Sequence, residues 1–145
     1  MNAHTIRSRV LVDGEANADL LWSDEPLSFW GGYDQVTGEI IDRRHPLSGK
    51  SGAGKIVAVP FTRGSSTTTS ILLEAVRAGV APAAILTTGP DTFLSLASIA
   101  ADELYRRSFP VLSISADEFR RLRDETRVII GKGGIIRIPV EVDEP

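Results

Sequence analysis

The middle of the chain alternates short apolar runs with amphipathic segments. Residues 56–59, 83–86 and 111–114 are compact apolar runs that predict buried strands. Residues 67–78 carry apolar side chains at helical spacing, and so does a segment that begins at Asp91 or Thr92, so both predict helices. Strands that alternate with helices favour right-handed crossovers and a parallel sheet.

Both ends of the chain predict strands that add antiparallel pairs to this sheet. A strand-like opening runs through Val12, and a second short strand is predicted at residues 20–22. Residues 127–130 and 135–140 predict a hairpin across a glycine-rich turn. The predicted fold class is therefore α/β, a mixed β/β/α sandwich or barrel with parallel βαβ units.

One domain is expected to occupy the whole chain. Its 145 residues are enough for a single core, which is predicted to run from about residue 9 to about residue 142. Residues 23–54 lose regular pattern, apart from a brief extended piece at residues 39–41, and become rich in glycine, proline, serine and charge. A structureless stretch of that length is more often a functional loop than a neutral connection.

Composition limits the chemistry that this chain can perform alone. It has no cysteine, so it offers no disulfide, no thiolate nucleophile and no thiolate-bound metal or iron–sulfur site. His4 and His45 are its only histidines, which disfavours any metal site made by this chain. The net charge of -3 without a basic stripe disfavours a nucleic-acid partner. No apolar run approaches the roughly 20 residues that span a bilayer, and residues 1–9 lack a signal-peptide pattern, which predicts a cytoplasmic protein with no membrane partner.

Residues 63–70 are the strongest candidate for a site. They follow a predicted strand and open a predicted helix, so backbone N–H groups and the positive end of the helix dipole surround Ser65 and Ser66. Arg63 can add a bidentate contact to a carboxylate, and positive potential favours the alkoxide of a serine. The alternative is that Ser65 or Ser66 only caps the helix. No G-x-S-x-G motif is present and no nearby histidine or acid completes a triad, which disfavours a hydrolase.

Three further motifs lie in the long loop. Ser28, Phe29, Trp30 and Gly31 belong to an aromatic segment that either folds back on the core or meets a partner or substrate. Residues 49–55 formally match G-x-x-x-x-G-K, but Ile56 and a strand follow where a phosphate-binding loop needs Ser or Thr and a helix. His45 is a lone histidine, which is more often a hydrogen-bonding loop residue than a catalyst.

Several spaced strings together carry a family resemblance. They lie at residues 14–15, 24–32 (D-E-P-L-S-F-W-G-G), 37–38, 41–42, 45–47, 49, 63–66 (R-G-S-S), 81–85 and 103–105. With these strings the chain resembles the aconitase X swivel domain from about Arg9 to about Val142. The string at 24–32 is the specific one, whereas R-G-S-S alone would be a weak signal.

The resemblance implies a fold, a partner and a chemistry. It implies a swivelling β/β/α domain like domain 4 of aconitase, acting as the small subunit of a two-subunit hydro-lyase. The large subunit is expected to carry the iron–sulfur cluster or metal centre, and this chain is expected to hold no cofactor. Ser65 is implied as the general base that removes an α-proton from a small hydroxy carboxylate, with Arg63, Gly64 and Ser66 binding the substrate beside it.

The resemblance also has a departure and leaves alternatives open. Threonines occupy residues 67–69, where the family usually has Ser and Gly, which could alter substrate fit. Ser28–Gly31 and His45 are candidates for an active-site or interface loop. The expected substrate is cis-3-hydroxy-L-proline, because the split form occurs in bacteria and the composition has no thermophilic character, with mevalonate 5-phosphate as the alternative. Other classes are a non-catalytic assembly or binding module and, less favoured, a phosphoryl carrier using His45.

Overall fold

A computed structural model describes residues 3–64 and 66–139 of the chain. The described residues form eight strands and three helices. The strands are β1 (Ala3–Arg7), β2 (Arg9–Val12), β3 (Ala16–Trp22), β4 (Ile56–Ala58), β5 (Ala84–Thr87), β6 (Val111–Ser113), β7 (Arg127–Gly131) and β8 (Ile135–Pro139). The helices are α1 (Ser66–Ala78), α2 (Thr92–Tyr105) and α3 (Ala116–Arg120).

The strands form one mixed sheet that curls into a nearly closed barrel. The strand order is β1-β8-β7-β3-β4-β5-β6-β2, and the run from β3 to β6 is parallel while the remaining pairs are antiparallel. The two edge strands β1 and β2 are separated in sequence only by Ser8, so the two edges must come close together. Ser8 donates from its backbone N–H and from its hydroxyl to the carbonyl of Gly134, at 2.9 and 2.8 Å. The predicted α/β fold with parallel βαβ units and a terminal hairpin is confirmed.

Both faces of the central strands β4, β5 and β6 are buried, which explains their largely apolar sequences. In β4, Val57 faces the cluster that α1 and α2 cover, whereas Ile56 and Ala58 face the cluster that contains Phe119 of α3. Successive side chains of a strand point to opposite faces, so a strand covered on both sides needs apolar residues throughout. The long loop contributes Leu27, with the aromatic residues described below, to the first of these clusters.

Helix α2 lies where its pattern predicts, but most of its large apolar side chains point outward. The buried positions are Leu94 and the small residues Ala97, Ser98 and Ala101, whereas four large apolar residues are exposed. Ser98 explains part of this orientation, because its hydroxyl donates to the carbonyl of Phe109 and accepts from its N–H, at 2.5 and 3.0 Å. The exposed residues, named here the outer α2 face, are Phe93, Leu96, Ile99 and Leu104.

Candidate functional site

The segment between β4 and α1 is fixed from two sides. On one side, Leu27 of the long loop pairs with Thr62, and the N–H of Arg63 donates to the carbonyl of Leu27 at 3.0 Å. On the other side, the hydroxyl of Thr62 donates to the carboxylate of Asp91 in a short hydrogen bond. The other oxygen of Asp91 accepts from the N–H of Leu94, so the residue that caps α2 also holds the position next to Arg63.

The turn that opens α1 requires a glycine. A Cβ atom at Gly64 would lie 2.3 Å from the hydroxyl oxygen of Thr68, which is far inside van der Waals contact. Thr68 is buried, and its hydroxyl has no hydrogen-bond partner within the described part of the chain. Ser66 is the first residue of α1 and is exposed, while Ser65 lies outside the described residues.

Arg63 opens onto a cleft of about 550 Å³ that the sequence did not predict. Arg63, Arg44 and Glu25 line it, and none of the three side chains makes a hydrogen bond or ion pair with another described residue. Arg43 also lines the cleft but is engaged elsewhere, since it lies 2.9 Å from Glu39. Arg43 and Arg44, directly before His45, were the only sequence signal for the charges that the long loop adds to this cleft.

The turn that carries Arg44 is tied to the rest of the cleft by His45. Asp42, a further lining residue, accepts at its carboxylate from the N–H of Arg44, at 3.0 Å. The His45 ring is 7% exposed and accepts at Nδ1 from the N–H of Leu47, at 3.1 Å. Nδ1 is therefore the acceptor, and the ring proton lies on Nε2. Nε2 donates to the carbonyl oxygen of Glu25, and these two atoms are 3.2 Å apart. The arrangement gives His45 a positioning role in the wall of the cleft.

The aromatic loop divides into a core part and an exposed part. Phe29 and Tyr33 are buried, with ring centroids 5.3 Å apart, and the Tyr33 hydroxyl donates to the carbonyl of Val80 at 2.6 Å. Trp30 is 64% exposed and precedes Gly31, whose φ of 78° suits glycine. Ser28 lies at the start of this turn and donates to the carbonyl of Trp30 at 3.0 Å. Phe29 is thus a core anchor, and Trp30 is the member of the loop that a partner can reach.

Comparison with known proteins decides the family. The family model of the aconitase X swivel domain matches residues 5–138. This chain belongs to the aconitase X swivel domain family. A cis-3-hydroxy-L-proline dehydratase from Pseudomonas aeruginosa is 50% identical to this swivel domain over 110 residues, which is 76% of the chain and 19% of that protein.

Two further comparisons are with a protein named a small subunit and with a solved structure. A phosphomevalonate dehydratase small subunit from Methanothermobacter thermautotrophicus is 37% identical over 93 residues, covering 64% of this chain and 71% of that protein. The crystal structure of holo aconitase X from Thermococcus kodakaraensis superposes with a TM-score of 0.84 at 26% identity, covering 94% of this chain and 99% of that chain. The chain thus spans about a fifth of the Pseudomonas relative but most of the small subunit.

A metal or iron–sulfur centre needs a cluster of ligand side chains. Within residues 3–64 and 66–139 there is no group of three His, Asp or Glu side chains that could hold a metal ion, and the sequence has no cysteine. The segment at residues 49–55 leads into β4, so it lacks the helix of a phosphate-binding loop. No helix of the described part is long and apolar enough to cross a membrane.

Proposed function

We propose that this swivel domain is the small subunit of a two-subunit dehydratase, in which Ser65 removes the α-proton of a small hydroxy carboxylate. The observation that carries the proposal is the turn between β4 and α1, where Arg63 lines a cleft together with Arg44 and neither side chain has a partner among the described residues. The identified relatives are dehydratases, which supports an elimination rather than another use of this turn.

The proposed substrate is cis-3-hydroxy-L-proline. The support is the 50% identity to the dehydratase of that name, against 37% for the phosphomevalonate dehydratase small subunit. Mevalonate 5-phosphate is the second candidate, because its dehydratase has a separate small chain that this chain matches over 71% of its length. A non-catalytic assembly module would use the same fold without Ser65 chemistry.

In the proposed reaction the proton on the carbon next to the carboxylate passes to the oxygen of Ser65. The electron pair of that C–H bond forms the new double bond, and the hydroxyl group leaves from the adjacent carbon with its bonding electrons and becomes water on taking up a proton. Arg63 holds the carboxylate and so fixes the acidic carbon. The first turn of α1, beginning at Ser66, favours the alkoxide form of a serine placed before it.

The leaving hydroxyl needs an acid, and the proposal assigns this role to a partner chain. The proposal therefore includes a large subunit that carries the iron–sulfur cluster or metal centre. The similarity to proteins named small subunits supports such a partner. Such a partner would also cover apolar residues of α2 that are exposed to water in the isolated domain.

The outer α2 face is the proposed contact surface for the large subunit. Phe93 begins this face and is 36% exposed. Its carbonyl accepts a hydrogen bond from the hydroxyl of Thr69 in α1, at 3.2 Å. Asp91, which precedes it, bonds to Thr62 next to Arg63. The apolar face is thus continuous with the proposed active site, where a second subunit that completes the site must make contact. Contiguous exposed apolar residues of this kind are typical of protein interfaces.

The test is co-expression with an aconitase X-type large subunit, anaerobic purification and a dehydration assay on cis-3-hydroxy-L-proline. We expect turnover only with both chains, and loss of turnover in Ser65→Ala with the complex intact. Ser70→Ala, an exposed serine one turn further along α1, is the matched control and should retain turnover.

The outcomes separate the candidate functions. Near-normal turnover of Ser65→Ala would overturn the serine base. A stable complex that acts only on mevalonate 5-phosphate would select the second substrate. A chain that forms no complex with any such large subunit would favour the binding module.

A further inference from the structure

The cleft beside Arg63 carries charges of both signs. Three guanidinium groups line it, those of Arg43, Arg44 and Arg63, together with the carboxylates of Glu25 and Asp42. Two of these groups have local partners, since Arg43 pairs with Glu39 and Asp42 accepts from the N–H of Arg44. Among the described residues that line the cleft, the side chains left for a ligand are two cations, Arg44 and Arg63, and one anion, Glu25.

A dianionic phosphate suits such a cleft poorly, whereas a zwitterion suits it well. A phosphate next to Glu25 would meet a like charge, and like charges in one site are unfavourable. An α-amino acid carries a carboxylate and an ammonium group on one carbon, so arginine can bind one end while a carboxylate binds the other. The volume of about 550 Å³ lies within the range of small-molecule sites.

Hydrogen bonds hold the backbone segments that carry these charged residues in fixed relation before any ligand arrives. His45 follows Arg44 directly and its Nε2 donates to the carbonyl of Glu25. Two residues after Glu25, the carbonyl of Leu27 accepts from the N–H of Arg63. A chain of hydrogen bonds therefore connects the backbones that carry Arg44, Glu25 and Arg63, and a site positioned in advance spends less of its binding free energy on ordering loops.

From this arrangement we infer that Arg44 and Glu25 are specificity-determining residues for a zwitterionic substrate. Arg44 joins Arg63 at the carboxylate, and Glu25 accepts from the ammonium group. The inference rests on the proposed function for the reaction at the site, and it adds the residues that select the substrate. It assigns roles to two residues outside the R-G-S-S turn.

The residues that line the cleft provide both the test variants and a matched control. Arg44→Ala removes the second cation, and Arg43→Ala removes a neighbouring arginine of equal charge that Glu39 already engages. Glu25→Gln removes the negative charge but keeps the backbone carbonyl that His45 contacts. Glu25→Gln therefore removes the charge without removing the hydrogen bond from His45 that holds the loop.

The experiment is isothermal titration calorimetry of the assembled two-chain complex. The complex is titrated separately with L-proline, cyclopentanecarboxylate, pyrrolidine and inorganic phosphate. We expect L-proline to bind more tightly than the other three probes. Arg44→Ala and Glu25→Gln should each weaken L-proline binding about tenfold, which is the usual effect of removing a charged hydrogen-bond partner. Arg43→Ala should change it by less than about twofold.

The readout is binding, so it does not depend on turnover. L-proline binding that requires Arg44 and Glu25 in a complex without dehydratase activity would support the inference and refute the proposed reaction. The inference is overturned if phosphate binds more tightly than L-proline, if Arg43→Ala weakens binding as much as Arg44→Ala, or if L-proline does not bind the assembled complex.

Discussion

The Nε2 atom of His45 lies 3.2 Å from the carbonyl oxygen of Glu25, twenty residues earlier in the chain. This contact joins the two parts of the long loop that form the cleft. The same ring accepts from Leu47 at Nδ1, so both ring nitrogens are occupied by backbone groups. A buried ring with both nitrogens used in this way stabilises the loop and is not available as a phosphoryl carrier.

Replacing His45 should therefore affect the cleft through its geometry. In His45→Asn the amide oxygen can still accept from the N–H of Leu47, because asparagine commonly bonds to the backbone two residues on, but it cannot reach Glu25. We expect the free energy of unfolding to fall by about 1 kcal/mol and the KM of the assembled enzyme to rise about fivefold with kcat nearly unchanged. Urea unfolding and steady-state kinetics measure the two effects.

His45→Ala is the comparison for this prediction. It loses both contacts and should unfold more easily than His45→Asn, by about a further 1 kcal/mol. An unchanged KM in His45→Asn would show that the tie to Glu25 does not position the cleft. A loss of kcat without a change in KM would instead point to a direct role in the reaction.

The buried hydroxyl of Tyr33 should make the free energy of unfolding fall at alkaline pH. Burial raises the pKa of its hydroxyl above the ordinary value of about 10. In the unfolded chain the hydroxyl ionises near pH 10, whereas in the folded chain it keeps its proton and its hydrogen bond to Val80. The stability that it contributes is therefore complete below about pH 10 and is lost as the pH rises toward the folded pKa.

Tyr33→Phe isolates this contribution. At pH 7 we expect it to be less stable than the parent by about 1 kcal/mol, since the carbonyl of Val80 loses its donor. Above about pH 10 the difference should shrink, because only the parent loses stability through this hydroxyl. Urea unfolding at pH 7, 9 and 10.5 gives the comparison, and a constant difference across this range would contradict the assignment.

Thr62 and Asp91 should act as one unit in holding the turn before α1. Thr62→Val removes the hydroxyl that bonds to Asp91, while Asp91→Ala removes both that contact and the cap of α2. We expect Thr62→Val to lower the free energy of unfolding by about 1 kcal/mol and Asp91→Ala by about 2 kcal/mol. Combined in one protein, the two changes should cost little more than Asp91→Ala alone, and additive costs would show that the two residues act independently.

The sequence patterns predicted the parallel βαβ core because each signal there is local. The apolar run of β4, the helical spacing in α1 and the start of α2 at Asp91 or Thr92 depend on neighbouring residues, and all are confirmed. The R-G-S-S turn was found for the same reason, although Ser65 lies outside the described residues and its role stays a prediction.

The cleft and the orientation of α2 depend on contacts between residues that are distant in sequence. Arg44 and Arg63 come together only because the long loop folds back and Leu27 pairs beside β4. In α2, spacing predicts a helix but does not say which side faces the sheet. The small Ala97 and the bifunctional Ser98 decide it, since they let the helix approach the core and satisfy the backbone of Phe109.

The outer α2 face should decide assembly with the large subunit without affecting the fold of the swivel domain. Leu96 and Ile99 are 48% and 52% exposed, so Leu96→Glu and Ile99→Glu place a charge in water in the isolated chain and change its unfolding little. In the proposed complex the same charge would be buried without a partner, so we expect the Kd for the large subunit to rise about tenfold or more. Val36→Glu is the control, because Val36 is 70% exposed in a turn of the long loop and lies outside this face. Pull-down titration and thermal unfolding of each variant separate assembly from stability, and equal affinity of all three variants for the large subunit would place the interface elsewhere.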